Sequence, residues 1–382
     1  MGRFVEGVME DDRARDGDFL VVERDGMAVG TATALHLTMH VRGAAIPCHG
    51  VAYVGAIRTE RRKAAVGGVK EPGVATVVME ETIRRGRERG DVVTALMPFR
   101  ASYYEHFGYG LVERQLYWNI PTSVLPSGDA GRWVHYEEGH LPGLMALRRE
   151  MMGAGQCDIE RTEGRWKSVM KKGEGGWTFV ELDGDGRPAA WLQLGAMSEV
   201  PGGRPHVGRV GDWGCRGPGE GMARVLRFLG SLKDQYTRVL IDGPSDWQIN
   251  RLLKETQVPH REVVHPTATA TMITRMQMRV LDHKRYLEAI GWPGGTKGEA
   301  VVLVKECEGG ESRFAVRVEG GRAEVRPSVA TPTFVTTDVT YASVVSGELS
   351  ATEAVRMGLA EGEAGILDGL AVGRKPYCGD FF

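Results

Sequence analysis

The feature that most constrains this chain is an order of elements that occurs twice. Near the N-terminus, Phe19 to Leu35 reads as two extended runs joined at Asp25-Gly26, a strong hairpin turn signal. A strand from about Val51 to Ile57, a helix from about Val74 to Arg89 and a strand Val92 to Leu96 follow. In the middle of the chain Trp177 to Leu194 is again hairpin-like, turning at Asp183 to Gly186. It too leads into a strand (His206 to Trp213), a helix (Gly219 to Asp234) and a strand (Arg238 to Asp242). Two copies of one α/β unit with little residue identity are the first reading. Chance recurrence of hairpins and helices in mixed domains is the other.

The last hundred or so residues differ in pattern. Helix-like Leu281 to Ile290 leads to Val301-Val-Leu-Val304, and Phe314, Val316, Val318 and then Ala323, Val325 alternate on either side of Gly320-Gly321. That is an antiparallel hairpin over a core, followed by helical Ser343 to Gly347 and Thr352 to Met357. A separate α+β domain accounts for it. Pro121 to Gly128, rich in Pro, Ser and Gly, is the expected linker between the first two units, and the second boundary falls between Ala270 and Asp282. With 382 residues, two to three domains are expected at roughly 150 residues each.

Composition excludes several classes. Lys plus Arg is 48 against Asp plus Glu 50, so no whole-protein field favours nucleic acid or an anionic membrane. Cys48, Cys157, Cys215, Cys307 and Cys378 form no C-x-x-C, which signals neither a zinc site nor a disulfide framework. No apolar signal sequence opens the chain, and nowhere do about 18 apolar residues stand together. A cytoplasmic protein without nucleic-acid, membrane or metal partners is the expectation.

The most informative segment is Gly50 to Lys63 followed by Gly73-Val-Ala-Thr-Val-Val-Met79. A strand enters a basic turn and then a glycine-headed helix whose first N–H groups lack intrahelical partners, a setting suited to a pyrophosphate. A solvated basic loop is the bland alternative. After the next strand comes Met97-Pro-Phe-Arg-Ala-Ser-Tyr-Tyr-Glu-His-Phe-Gly-Tyr-Gly110.

Together these segments resemble the GNAT family of acyl-CoA N-acyltransferases, and in particular its Eis-like (enhanced intracellular survival) branch. The resemblance extends to Arg209-Val-Gly-Asp-Trp213, Thr274-Arg-Met-Gln-Met-Arg-Val280 and the aromatic end Cys378-Gly-Asp-Phe-Phe382. It implies two GNAT-like mixed-sheet α/β units followed by an α+β domain of sterol-carrier-protein type. These map to residues 1–122, 123–275 and 276–382, the second unit being degenerate. It further implies acetyl-CoA as co-substrate, an acceptor amine on a small polyamine- or aminoglycoside-like molecule or a lysine side chain, and a homo-oligomer, a trimer or a hexamer of two trimers.

Carried over residue by residue, the resemblance puts Val54, Gly55 and Ala56 beside the pantetheine arm. Arg61, Arg62, Gly73, Val74, Ala75 and Thr76 would surround the pyrophosphate, and Phe99 and Arg100 form a further stretch against the cofactor. Tyr104 matches the family's general acid and the carboxylate of Phe382 its general base. The family's turn is short, of the form Arg/Gln-x-x-Gly-x-Gly/Ala, whereas here about ten residues around Ala64 to Pro72 separate Arg61-Arg62-Lys63 from Gly73. Either the loop is extended around the same phosphates or Ala65 to Val69 is the strand. Arg216-Gly-Pro-Gly219-Glu-Gly221 repeats the motif in the second unit.

Acyl transfer to an amine needs a base to take the ammonium proton and a donor for the leaving thiolate. A terminal carboxylate buried beside Phe381, with its pKa raised by that burial, is expected to serve as base, a phenol as donor, and a strand N–H to meet the charge on the acyl oxygen. His106, beside Tyr104, is a conceivable base but is expected in a surface or structural role, and Trp118, Trp191 and Trp213 are expected in the core. The competing class is a non-catalytic carrier of an apolar ligand whose enlarged Ala64 to Pro72 loop has cost it the cofactor.

Overall fold

The computed structural model describes residues 11–60, 72–170, 176–217, 219–259 and 264–382. The Asp25-Gly26 turn has φ of +53° and +75°, the paired positive values that a tight two-residue hairpin requires. It joins β1 (Asp18–Arg24) to β2 (Met27–Val41), which pairs with β3 (Ala44–Ala56). A 16-residue helix, α2 (Val74–Arg89), follows the short α1 (Asp12–Arg15) in chain order and buries Val74, Val78, Met79, Thr82, Ile83 and Gly86. That spacing is one helical face, and it packs on β1, β2 and β3. Gly90, at φ +80°, ends the helix, and β4 (Val93–Leu96) runs parallel to β3.

The chain divides into two compact units that cut the sequence repeatedly. Unit 1 is Met1–Glu113, Gly155–Arg165 and Arg275–Phe382; unit 2 is Arg114–Ala154 and Trp166–Thr274. The expected boundary after residue 275 falls beside the Thr274–Arg275 division and the one after residue 122 lies beyond Glu113–Arg114, while the expected first and last blocks form one unit that also takes in Gly155–Arg165. In particular, Pro121 to Gly128 lies inside unit 2 rather than between units. Thr122 donates from Oγ1 to the Tyr236 carbonyl at 2.7 Å, and Leu125 is fully buried in the unit 2 core. Its Pro, Ser and Gly mark a turn of the chain, and the change of core occurs at Glu113–Arg114.

A strand exchange explains the interleaving. β5 (Gly110–Leu111) is followed at once by β6 (Arg114–Pro121), but β6 stands in the unit 2 sheet, between β12 (Arg238–Pro244) and β13 (Thr269–Thr274). β13 is in turn followed by β14 (Gln277–Val280), which stands in the unit 1 sheet, between β4 and β5. The last strand of each repeat thus completes the sheet of the other. A further strand, β8 (Gln156–Ile159), pairs with β2.

The unit 2 sheet runs β13-β6-β12-β11-β10-β9-β7, built from β7 (Arg132–His135), β9 (Gly176–Leu182), β10 (Pro188–Met197) and β11 (Val207–Cys215) besides those given. Helix α6 (Glu220–Ser231), after α4 (Leu141–Ala154) and α5 (Glu163–Met170), buries Met222, Val225, Leu226 and Leu229 against Trp118, Ile120 and Trp213.

In unit 1 the C-terminal α+β domain has a five-stranded sheet, β17-β16-β15-β18-β19, with β19 at Ala360–Gly362. The hairpin β16 (Glu311–Glu319) and β17 (Arg322–Pro327) turns at Gly320-Gly321, and β15 (Gly298–Lys305) runs parallel to β18 (Phe334–Thr337). Helices α7 (His283–Ala289), α8 (Asp338–Val345) and α9 (Ala351–Arg356) cover it, the last started by a Ser350/Glu353 capping box. Its core is continuous with that of the first sheet: Leu35, Met39 and Val93 belong to one cluster with Val302, Phe334 and Tyr341.

Candidate active site

The strands β3 and β4 part company halfway. Their ladder runs from Cys48↔Val93 to Gly50↔Ala95, and β4 ends at Leu96 while β3 continues to Ala56. On its other edge β3 stays paired with β2, with a bulge that sets Tyr53 and Val54 against Ala32 and puts Tyr53 at φ +53°. Among the described residues, Val51 to Ala56 have no strand partner on the β4 side, so main-chain groups of a half-buried segment face a gap. Val54, Gly55 and Ala56 lie there, on the strand that sequence reasoning placed at Val51 to Ile57.

Helix α2 starts just beyond this segment in sequence. Its N-cap, Gly73, offers no side-chain cap; Thr76 and Val77 N–H donate to the Gly73 carbonyl at 2.8 and 3.1 Å. The first turn carries no acid, while Arg87 and Arg89 sit in the last turn, so nothing in the helix offsets the positive end of its dipole. Val74 is buried and Ala75 and Thr76 are half-buried. Gly30 on β2 makes this approach possible: a Cβ there would stand 2.3 Å from Val74 Cγ1. An uncapped helix start next in sequence to a strand with a free edge fits an acyl-CoA, whose phosphates need N–H donors and whose amide-bearing arm needs a strand edge. Arg61, Arg62 and the segment Ala65 to Val69 lie outside the described residues.

Beyond the end of β4, Phe99, Tyr103, Tyr104, Phe107 and Tyr109 form an aromatic cluster that packs with Val51 and Val54 of β3. Arg100 is exposed and precedes α3 (Ala101–Glu105), and Phe99 is 75% exposed. The Phe99 ring centroid is 5.7 Å from Tyr103 and 5.6 Å from Tyr104, and Tyr104 is 6.2 Å from Tyr109. Tyr104 is buried in one cluster with Val51, Met79, Ile83, Leu96, Phe107 and Tyr109, against which Val54 packs. Burial, with Tyr103 adding to it, pushes the Tyr104 phenol up to about 12, so it keeps its proton across the neutral range. Sequence reasoning passed over Tyr103, whose hydroxyl is buried and, among the described residues, has no hydrogen-bond partner. Tyr103 lines a cleft of about 390 Å³ with Thr76, Glu80 and Ile83 of α2 and with Phe107. His106 is exposed, with Nδ1 2.7 Å from the Ser102 carbonyl oxygen one helical turn away.

The C-terminal segment is tied into the same unit residue by residue. Tyr377 N–H donates to Gln156 O at 2.9 Å, Cys378 N–H to Glu113 Oε1 at 2.7 Å and Gly379 N–H to Asp158 Oδ1 at 3.0 Å. Asp380 is buried among Arg13 (3.1 Å), Arg165 (2.9 Å) and Arg161 (3.7 Å). The Phe381 carbonyl accepts from Arg13 at 3.1 Å and Arg165 at 3.2 Å. Burial pushes the Asp380 carboxyl up, and the three guanidiniums outweigh it and hold it at about 2.

Phe382 is 9% exposed and belongs to the large core against which Tyr53 packs. Tyr104 and Phe382 therefore fall in two clusters that are bordered by successive residues, Val54 and Tyr53, at the β3 bulge. One expectation is corrected here. Phe381 is 60% exposed, with Arg275 5.6 Å from its ring centroid, so it is the core around Phe382 and not a buried Phe381 that encloses the end of the chain. Arg13, Arg161, Arg165 and Asp380 were missed because Asp11 to Asp16 reads as a solvated charge run and nothing local marks a partner hundreds of residues away.

In the repeated motif of unit 2 the arginine and the helix start are matched with acids of the same unit. Arg216 pairs with Glu150 and Asp183, each at 3.2 Å, and Glu220 occupies the first turn of α6. Trp118, Trp191 and Trp213 are buried. Among the described residues, no group of three or more His, Cys, Asp or Glu is placed to hold a metal ion, and no helix is long and apolar enough to cross a membrane.

Residues 7–112 match a family model described as an acetyltransferase (GNAT) domain, and residues 283–379 one described as a sterol carrier protein domain. A Streptomyces avermitilis protein described as an uncharacterized N-acetyltransferase is 27% identical over 374 residues, covering 90% of this chain and 82% of that protein. The fold is similar to that of a GCN5-related N-acetyltransferase from Anabaena variabilis, with TM-score 0.80, 18% identity and coverage of 95% of this chain and 89% of the other. It is also similar to Eis1 from Mycobacterium abscessus, with TM-score 0.76, 17% identity and coverage of 100% and 97%. The chain is an acetyltransferase that carries a GNAT domain at residues 7–112 and a sterol carrier protein domain at residues 283–379, in a fold similar to that of Eis1.

Proposed function

We propose that this acetyltransferase moves an acetyl group from acetyl-CoA to a primary amine of a small polyamine- or aminoglycoside-like molecule or of a lysine side chain. The observation that carries the reading is the gap opened where β3 outruns β4, with the uncapped start of α2 next after it in the sequence. Val54, Gly55 and Ala56 would hold the pantetheine arm and Gly73, Val74, Ala75 and Thr76 the phosphates, aided by Arg61 and Arg62. Phe99 and Arg100 would flank the cofactor at the α3 end. When bound, the co-substrate supplies an acyl group activated as a thioester.

The proposed roles of the chain's own groups follow from proton balance. The amine nitrogen forms the new N–C bond, its proton passes to the Phe382 carboxylate, the C–S bond breaks, and the sulfur takes a proton from Tyr104. A phenol held at about 12 is a weak acid beside a thiol of ordinary pKa about 8.5. Tyr104 therefore acts first as a hydrogen-bond donor to the developing thiolate. Main-chain N–H groups on the free edge of β3 meet the charge on the acyl oxygen, a contribution of about 3 to 4 kcal/mol per donor in comparable sites. The same reading includes self-association to a trimer or hexamer.

Calorimetric titration with acetyl-CoA, followed by an amine panel assayed for CoA release, tests the proposal. Tight binding with release that depends on a primary amine is expected. Absence of acetyl-CoA binding would sink it.

A further inference from the structure

Helix α3 and the turn after it carry Tyr104, and this segment is held from the far side by the C-terminal domain. Phe107 N–H donates to the Tyr104 carbonyl at 2.9 Å, Gly108 N–H to Glu105 O at 3.0 Å and Tyr109 N–H to Tyr104 O at 3.3 Å. The outward carbonyl of this turn, that of Phe107, accepts from Arg279 Nη1 at 3.0 Å. Arg279 sits on β14, in register with Thr94 of β4, and its side chain is 1% exposed.

Three carboxylates converge on the same guanidinium, all from the sterol carrier domain. Glu308 is at 3.0 Å, Glu306 at 3.2 Å and Asp338 at 3.8 Å. These anions are fixed in turn: Glu306 by His283 at 3.1 Å and Ser312 at 2.9 Å, Glu308 by Arg87 at 3.1 Å, and Asp338 by the Cys307 N–H at 2.9 Å. Gly108, at φ +78°, lets the turn come this close, since a Cβ there would stand 2.3 Å from Asp338 Oδ2 and 2.9 Å from Arg279 Nε. Arg279, Cys307 and Glu308 also line the cleft that Tyr103 and α2 line from the other side.

We infer that Arg279 is a positioning residue for Tyr104: it gathers Glu306, Glu308 and Asp338 onto the Phe107 carbonyl and so makes the sterol carrier domain a working part of the acetyltransferase site. A planar guanidinium has the several donors that one carbonyl and three carboxylates demand, which a lysine ammonium does not supply in that geometry. The inference rests on the proposed role of Tyr104.

Full-length Arg279→Gln, Arg279→Lys and Glu308→Gln chains test it beside Tyr104→Phe. Hydrogen exchange is read on the peptide spanning residues 100–110 without ligand, and kcat and KM are read with acetyl-CoA and spermidine. The expected result for Arg279→Gln is exchange in that peptide faster by at least about tenfold, kcat lower by at least about 20-fold, and KM for acetyl-CoA within about threefold. Arg279→Lys should recover less than half of the lost kcat. Glu308→Gln, at a carboxylate that is about half exposed, keeps the test open if Arg279→Gln fails to fold, and a kcat loss of about fivefold is expected. Unchanged exchange, or a kcat within twofold of the parent in a folded variant, would overturn the inference. Parental kcat in Tyr104→Phe would remove the role of Tyr104 itself, whereas an inactive Tyr104→Phe beside an active Arg279→Gln would remove the inference alone.

Discussion

Asp380 and Arg13 lie 367 positions apart and meet as a buried ion pair at 3.1 Å, with side-chain exposures of 1% and 2%. Arg161 and Arg165 complete the ring around the carboxylate. Removing Asp380 leaves three guanidiniums with no common anion, and breaking a buried ion pair from one side costs about 3 to 5 kcal/mol. Urea unfolding of Asp380→Asn should show a loss of that size without a change in slope. A loss below about 1 kcal/mol would show that the cluster contributes little.

The same carboxylate sets an acid limit. Its folded pKa, about 2, lies below the ordinary 3.8, so its stabilisation is complete above about pH 4 and is lost as pH falls toward 2. The shift corresponds to about 2 kcal/mol. Unfolding free energies measured between pH 6 and 2 should fall in that window in the parent chain, and Asp380→Asn should flatten the fall by about that amount.

Two adjacent phenols should respond differently to loss of the hydroxyl. Tyr104→Phe is expected to lower kcat by about 10² to 10⁴, the usual scale for a positioned proton donor, with the fold intact by circular dichroism. Tyr103→Phe removes a buried hydroxyl that has no partner among the described residues, so thermal unfolding should show it unchanged or more stable by up to about 1 kcal/mol.

Gly30 sets how near α2 approaches the sheet. Gly30→Ala places a Cβ 2.3 Å from Val74 Cγ1, at the first helical residue after the Gly73 cap. Overpacking of this kind costs about 1 to 3 kcal/mol. Acetyl-CoA affinity measured by calorimetry should fall about tenfold, with kcat at saturation less affected. Unchanged affinity would separate the helix start from the binding site.

Much of this fold was legible because its signals are local. Asp25-Gly26 marks the first hairpin, Gly73 and Gly90 bracket α2, and the alternation around Gly320-Gly321 marks the β16–β17 hairpin. Val74 to Arg89 and the end of the strand at Ala56 were placed to within a residue, whereas the strand starts at Ala44, seven residues before the expected Val51, because Ala44 to Gly50 carries no clear alternation. The bulge at Tyr53 was not legible, because no glycine announces its positive φ. Nor was the strand exchange, since β6 and β14 read as ordinary strands whichever sheet receives them. The charged partners of Asp380 and Arg279 were invisible for the same reason: Arg13 and Arg279 look like surface arginines until the topology brings carboxylates to them.

The exchange of β6 and β14 bears on how the chain is made. On the ribosome, the first sheet lacks the strand between β4 and β5 until residues 277 to 280 emerge, more than 160 positions after β5. For that interval β4 presents an open edge to any passing strand. A fragment cut after residue 112, where the match to the GNAT family model ends, keeps that edge for good, and its yield in soluble form should depend on chaperones or on β14 added back as a peptide.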